Sequence, residues 1–204
     1  MTRSGETDAL LGELAACARA RAAESFGVQT RALAANAEPV AAAAREMARR
    51  FTDGGRLFTF GNGGSATDAA TLAALFARPP DGTALPASSL SADEAVLTAV
   101  GDDIGFESVF ARQLAARARS GDIAVAMSTS GDSPDLLAGL AEARARGMYT
   151  IGFAGCDGGA FVAGDTVDRC LVVGSRCAHR IHETQALLGY ALWLSVHQHG
   201  VVGG

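Results

Sequence analysis

From residue 56 onward the chain alternates between two local patterns, and that alternation limits the folds open to it. Short apolar runs rich in β-formers occur at 56–60, near 84–90, at 122–127, 149–153 and 168–173. Between them lie stretches of helical composition at 65–78, about 92–100, 106–119, 133–147 and 181–197. Parallel strands need long crossovers, and helices laid on both faces bury strands of this kind. The expectation is an α/β chain with a five-stranded parallel sheet between two helical layers. Upstream, residues 7–24 and 28–50 read as two Ala-, Leu- and Arg-rich helices with Gly27 between them. Outside a sheet, two long helices must bury an apolar stripe elsewhere, and their Ala-heavy faces suit packing between subunits. The division expected is a helical pair over 1–50 and a ligand-binding unit over 51–204, compact as a whole.

Chain-wide properties remove several function classes. At 204 residues, with 49% hydrophobic and 19% charged residues, the chain can bury a real core and has no disordered tail of any length. No apolar run reaches the roughly 18–20 residues of a membrane span. The opening Met1-Thr-Arg-Ser-Gly-Glu6 lacks the pattern of an export signal, so a cytoplasmic location is expected. Cys17, Cys156, Cys170 and Cys177 form no CxxC pair and read as reduced thiols. A net charge of −5 without a basic stripe argues against nucleic-acid binding. Every basic residue other than histidine is arginine. Without lysine, Schiff-base chemistry and a Walker-type phosphate lysine are excluded.

Ligands of parallel sheets bind beyond the carboxyl ends of the strands, and two of those ends here carry unusual turns. The first strand leads into Gly61-Asn-Gly-Gly-Ser65. The third leads into Ser128-Thr-Ser-Gly-Asp-Ser133, which offers four hydroxyls in six residues directly before a helix. Hydroxyls together with free N–H groups at a helix start bind an anion without any cation. Gly131 lets the backbone curl around an oxyanion. One such turn alone is as readily a helix cap; two of them one βα unit apart point to a phosphate ester. GNGGS is not GxGxxG, and no acidic residue is placed for a dinucleotide ribose, so a sugar phosphate fits better than NAD.

The order GNGGSAxDA (Gly61–Ala69), AVGDDxGF (Ala99–Phe106), MSTSGDS (Met127–Ser133), GxxGG (155–159) and RIxE (Arg180–Glu183) resembles the sugar isomerase (SIS) family, most of all its sedoheptulose 7-phosphate (phosphoheptose) isomerase branch. The resemblance runs from about residue 40 to 198. It implies an SIS-type three-layer sandwich, a homotetramer with active sites between subunits, and a sugar phosphate as ligand. It also places Asn62 and Ser65 against the substrate and Asp103 on its hydroxyls; Gly63 and the hydroxyls of Ser128, Thr129, Ser130 and Ser133 complete the expected substrate contacts, with His179 beside Glu183. Asp102 departs from the branch's Asn-Asp dipeptide, and Arg78 lies in a shortened segment.

The resemblance breaks at the metal site. The branch carries zinc on a His and a Glu one turn apart after GNGGS, a Gln in RIQE and a His two turns later. Those positions here hold Thr71, Leu75, His182 and Tyr190, of which only histidine is a usual zinc ligand. Leu75 and Tyr190 also stand where the branch has its acid–base pair. Two readings follow. In one, the chain isomerises a seven- or eight-carbon sugar phosphate through an enediol with neither metal nor cofactor. Glu183 is then the base and His182 a helper, as metal-free hexulose-phosphate isomerases of the wider family resemble this chain in bearing a glutamate at that helix start. In the other, it is an inactive binding or regulatory protein, like the branch's replication-initiator-associating relatives. Glu183 as a helix-dipole partner, and a rebuilt metal site from Cys177, His179 and His182, are further alternatives. Tyr190 reads as packing, and His197 and His199 as surface residues.

Overall fold

The computed structural model describes residues 2–200, with side chains from residue 7 onward. Met1 and residues 201–204, the last of which fall in the expected 51–204 unit, lie outside the described residues. The chain opens with helices α1 (Thr2–Ala35) and α2 (Ala37–Thr52). Then come β1 (Leu57–Gly61), α3 (Gly64–Ala77), β2 (Ala87–Ser89) and α4 (Glu94–Asp103). A 3-10 turn (Phe106–Ser108) leads into α5 (Val109–Arg117), β3 (Ile123–Met127), α6 (Pro134–Ala145) and β4 (Tyr149–Gly155). Last come α7 (Gly159–Ala163), β5 (Arg169–Val173) and α8 (Ala178–Gln198). All five strands are parallel, in the order β2-β1-β3-β4-β5. This is the α/β sheet expected from the alternation of patterns, with each strand within a few residues of its apolar run.

Side-chain alternation along the strands separates two cores. On one face Leu57, Ile123, Val125, Ile151, Phe153, Leu171 and Val173 meet Met47 and Phe51 of α2, Leu72 and Phe76 of α3, and Leu188, Leu192 and Trp193 of α8. On the other, Phe58, Phe60, Ala124, Ala126 and Ala154 meet Val109, Phe110 and Leu114 of α5 and Leu136 and Leu140 of α6. Small alanines in the central strands let α5 and α6 lie close. The rings of Phe60 and Phe110, both fully buried, stand 5.0 Å apart. Each buried ring contributes about 1.5–3 kcal/mol.

The two ends of the sheet differ. At the amino ends Asp122 is buried, and its carboxylate accepts hydrogen bonds from the backbone N–H of Arg56 (2.9 Å) and Arg119 (2.9 Å) and from the Arg56 guanidinium (2.7 Å). These bonds close that end. The carboxyl ends finish instead in glycine- and serine-rich turns.

Three local expectations are corrected. Gly27 does not divide the N-terminal helices; it lies inside α1, because glycine costs a helix interior only about 1 kcal/mol. The break comes at Asn36. Its side-chain amide donates to the carbonyls of Ala32 (2.8 Å) and Val172 (2.9 Å) and accepts from the Val172 N–H (2.9 Å). Val172 belongs to β5, the edge strand, so one side chain occupies backbone groups that would otherwise face a foreign strand. α8 begins three residues earlier than expected, at Ala178, which moves Glu183 from the first helical turn to the second. α7 went unread because five residues are too few for a helical period to register.

Removing the Asn36 amide should therefore leave buried strand groups unpaired. Asn36→Ala is expected to lower unfolding stability by about 1–3 kcal/mol in urea titration. A loss below about 0.5 kcal/mol would show that the edge is held by something else.

Candidate functional site

The strand order puts the topological switch point between β1 and β3: the chain leaves β1 toward β2 and β3 toward β4, on opposite sides. A crevice opens at such a point, outside the carboxyl ends of the two strands. Gly61 pairs with Met127, so both strands end level and their two turns start side by side. The loops singled out by sequence, Gly61–Ser65 and Ser128–Ser133, thus form one rim.

Within that rim the side chains divide into those that shape it and those left over. Ser128 is buried, and its Oγ accepts from the N–H groups of Ser130 (3.2 Å) and Gly131 (3.0 Å). The Ser130 hydroxyl accepts from the Asp132 N–H at 3.2 Å. Gly131 has φ +85°, a conformation suited to glycine, and a β-carbon there would collide with the carbonyl oxygen of Gly158. The Asp132 carboxylate in turn accepts from the Ala160 N–H at 2.7 Å, at the start of α7. The Ser-rich loop and the Gly155–Gly159 turn thus approach closely at Gly131 and are joined by the Asp132 carboxylate. Asn62 donates to both carboxylate oxygens of buried Asp135 (2.8 and 3.0 Å), tying the first loop to the first turn of α6. No capping bond is made by the Ser133 side chain at the N-cap of α6.

Helix α8 closes the rim from the first core's side. Buried Gln185 donates to the Ser128 carbonyl at 2.7 Å, while its Oε1 has no partner among the described residues. Going round the helix, His182 turns toward α3. Its Nδ1 lies 2.6 Å from Asp68 Oδ2, and a β-carbon on Gly64 would stand 3.0 Å from its Cε1 and Nε2. Glu183 turns instead toward α1, where its carboxylate accepts from the Ser25 hydroxyl and from Arg180 (3.2 Å). The Ser25 hydroxyl, and after it the Arg180 guanidinium, hold the Glu183 carboxyl below the ordinary glutamate value. Arg180 is itself buried, with a further bond to the Arg21 carbonyl at 3.0 Å.

Of the sequence-selected residues, Asn62, Gly63, Ser128, Thr129, Ser130 and Ser133 lie in the two switch-point loops, whereas Ser65 is buried in the first turn of α3. His182 reaches the start of α3. Asp103 ends α4 and is exposed, and His179 is exposed in the first turn of α8. Asp68, Asp135, Gln185 and Ser25 were missed. Asp68 had a usable signal: it lies within GNGGSAxDA, three residues after Ser65 in the first turns of α3. Ser25 had none, because it sits 158 residues from its carboxylate partner.

A family model described as SIS domain matches residues 22–155. The chain belongs to the SIS-domain family. Within it, the phosphoheptose isomerase of Roseiflexus sp. is 41% identical over 172 residues, covering 82% of this chain and 85% of that protein. The phosphoheptose isomerase of Solidesulfovibrio magneticus is 43% identical over 175 residues, covering 83% and 82%. Among solved structures, phosphoheptose isomerase GmhA from Neisseria gonorrhoeae superposes with a TM-score of 0.84 at 35% identity, covering 91% of this chain and 99% of that one. The SIS fold and the phosphoheptose isomerase branch expected from the motifs are both met.

The residues at this branch's zinc positions do not fit zinc. Thr71, Leu75 and Tyr190 line a cavity of about 60 Å³ with Leu72, Met127, Ala186 and Gly189, an apolar setting in which Gln185 and Asp68 are the other polar members. A hydroxyl, an isobutyl group and a phenol are poor replacements for imidazole and carboxylate ligands. Among the described residues, no group of three or more His, Cys, Asp or Glu side chains could hold a metal ion. Cys177, His179 and His182 form no such group, since His182 turns away to Asp68.

Because Ser25 is the largest cause of the lowered Glu183 pKa, Ser25→Ala should raise that pKa toward the ordinary glutamate value. Carbon-13 NMR titration of the Glu183 carboxyl reads this directly. An unchanged titration in the variant would transfer the effect to Arg180.

Proposed function

We propose that this chain is an aldose–ketose isomerase acting on sedoheptulose 7-phosphate or a related seven- or eight-carbon sugar phosphate, by an enediol mechanism without a metal. The single observation that carries the reading is the switch-point rim, where two loops bare of bulky side chains start level beyond β1 and β3. Likeness to phosphoheptose isomerases over most of the chain supports the substrate class. In this reading the phosphate is received by Ser65, Thr129, Ser130 and Ser133 and by loop N–H groups that Ser128 holds in place. Asn62, Gly63, Asp103 and His179 line the sugar.

The chemistry requires a base that reaches C1 and C2 in turn. We assign Glu183 this role: Ser25 and Arg180 favour the ionised form that a base needs while lowering its proton affinity, and the side chain has to leave Ser25 to reach C1 and C2. No lysine competes for the carbonyl. We place the enzyme in the cytoplasm as a homotetramer. Its N-terminal helical pair packs between subunits, and the active sites lie at the interfaces. The exposed Leu10, Leu11, Leu14 and Phe26 of α1 are apolar side chains that such packing would cover. No helix of the described residues is long and apolar enough to cross a membrane, and the net charge of −5 suits neither nucleic acid nor an acidic surface.

The altered zinc positions favour a second reading, a sugar-phosphate-binding regulator, and one experiment separates the two. Metal-stripped protein incubated with sedoheptulose 7-phosphate in deuterated water is expected to exchange hydrogen at C1 or C2 and form the aldose. Glu183→Gln should lower that rate by roughly 10²–10⁴-fold while sugar phosphate still binds. Binding without exchange by the wild-type chain, for every ketose phosphate offered, would decide for the regulator.

A further inference from the structure

Isomerisation moves two protons. One passes between C1 and C2; the other must leave the C1 hydroxyl and arrive on the C2 oxygen. A carboxylate that serves the carbons does not by geometry serve both oxygens, and the positions of the branch's acid–base pair hold Leu75 and Tyr190. A second proton carrier is needed near the first loop.

We infer that Asp68 and His182 form that carrier, a carboxylate–imidazole dyad in which His182 Nε2 relays the oxygen-bound proton and Asp68 positions it. The inference rests on the isomerase reading above. Three observations support it. Asp68 Oδ2 stands 2.6 Å from Nδ1; opposite a carboxylate, the hydrogen of a neutral ring sits on Nδ1, which leaves Nε2 its lone pair for the relay. Nε2 lies over Gly64, where a β-carbon would stand 3.0 Å away; a bare backbone thus lets the ring sit against the loop that meets the ligand. The pair is also partly shielded, with the two side chains 27% and 21% exposed and the apolar cavity of Leu72, Leu75 and Met127 next to Asp68. Partial exclusion of water strengthens the Asp–His interaction and fixes the ring.

Other charged or titratable groups near His182 come from its own helix: His179 three residues before it, and Arg180 and Glu183, which are engaged with each other. Glu24 of α1 pairs with Arg180 as well, at 3.6 Å. On α3 the facing group is Asp68 alone among the described residues.

The step balances. Glu183 takes a proton from C1; the C–H electron pair becomes the C1–C2 double bond, and the carbonyl pair moves onto O2. The O1–H bond then breaks to Nε2, and the new Nε2–H bond breaks to O2. Finally the C2 carbon takes the proton back from Glu183 as O1 becomes the aldehyde oxygen. Both side chains finish in the states in which they began, with no oxidant, reductant or further reactant.

His182 is accordingly catalytic and Asp68 a positioning residue. His182→Ala should lower kcat by roughly 10²–10⁴-fold, and free imidazole should restore part of the loss. His182→Gln, which keeps bulk over Gly64, should lose kcat similarly and guard against a folding defect. Asp68→Asn should lower kcat at least ~10-fold with KM little changed, and nitrogen-15 NMR of His182 should show the hydrogen leaving Nδ1. If wild-type protein isomerises the sugar phosphate and His182→Gln or His182→Ala keeps its kcat, the dyad is overturned and the isomerase reading stands. A wild-type protein inert toward every ketose phosphate overturns both.

Discussion

The site depends on one contact in which no side chain takes part: the left-handed turn at Gly131 resting on the Gly158 carbonyl. That contact sets how the Ser-rich loop leaves β3, and bonds from Ser128 Oγ to two N–H groups keep the loop curled. β1 and β3 end in register, so the first loop is presented at the same height. Asn62 to Asp135 and Gln185 to the Ser128 carbonyl then fasten the rim to α6 and α8. Backbone N–H groups and hydroxyls held in place by this geometry are what a chain without lysine would use for the anion proposed above. Neutral donors arranged beforehand need no reorganisation when the charge arrives.

Around this rim the two side chains proposed for the chemistry, His182 and Glu183, lie on different sides of α8. Consecutive helical residues point about 100° apart, so His182 reaches α3 while Glu183 reaches α1. The branch's zinc and acid–base positions lie one layer further along, where Leu75, Leu72 and Met127 make an apolar cavity. Apolar side chains around that cavity offer no ligands for a cation and border Asp68 on one side.

Much of this was legible in the sequence, for identifiable reasons. Parallel strands leave apolar runs separated by helical periods, so the sheet and its order of elements could be read. The hydroxyl-rich loops were conspicuous because six residues carry four hydroxyls. What sequence alone did not reveal were pairings across the fold. Asn36 reads as a weak helix residue until Val172 lies beside it, and Gly27 reads as a break until the helix is seen to continue. Ser128 reads as one more ligand hydroxyl, whereas its oxygen is already shaping the loop. Asp68 stood inside a motif with no role until His182 came within 2.6 Å. Asn36 and Asp68 depend on partners 136 and 114 residues away, and Ser128 on a rotamer that composition does not encode.

The central claim is that the rim grips a phosphate ester, and calorimetry of the wild-type chain tests it most directly. Sedoheptulose 7-phosphate is expected to bind once per chain, at least ~100-fold more tightly than sedoheptulose itself, since two or more hydrogen bonds to the charged group at about 1.5–3 kcal/mol each would be lost with the phosphate. Equal affinity for the two sugars, or no heat with any phosphorylated sugar, would contradict the account.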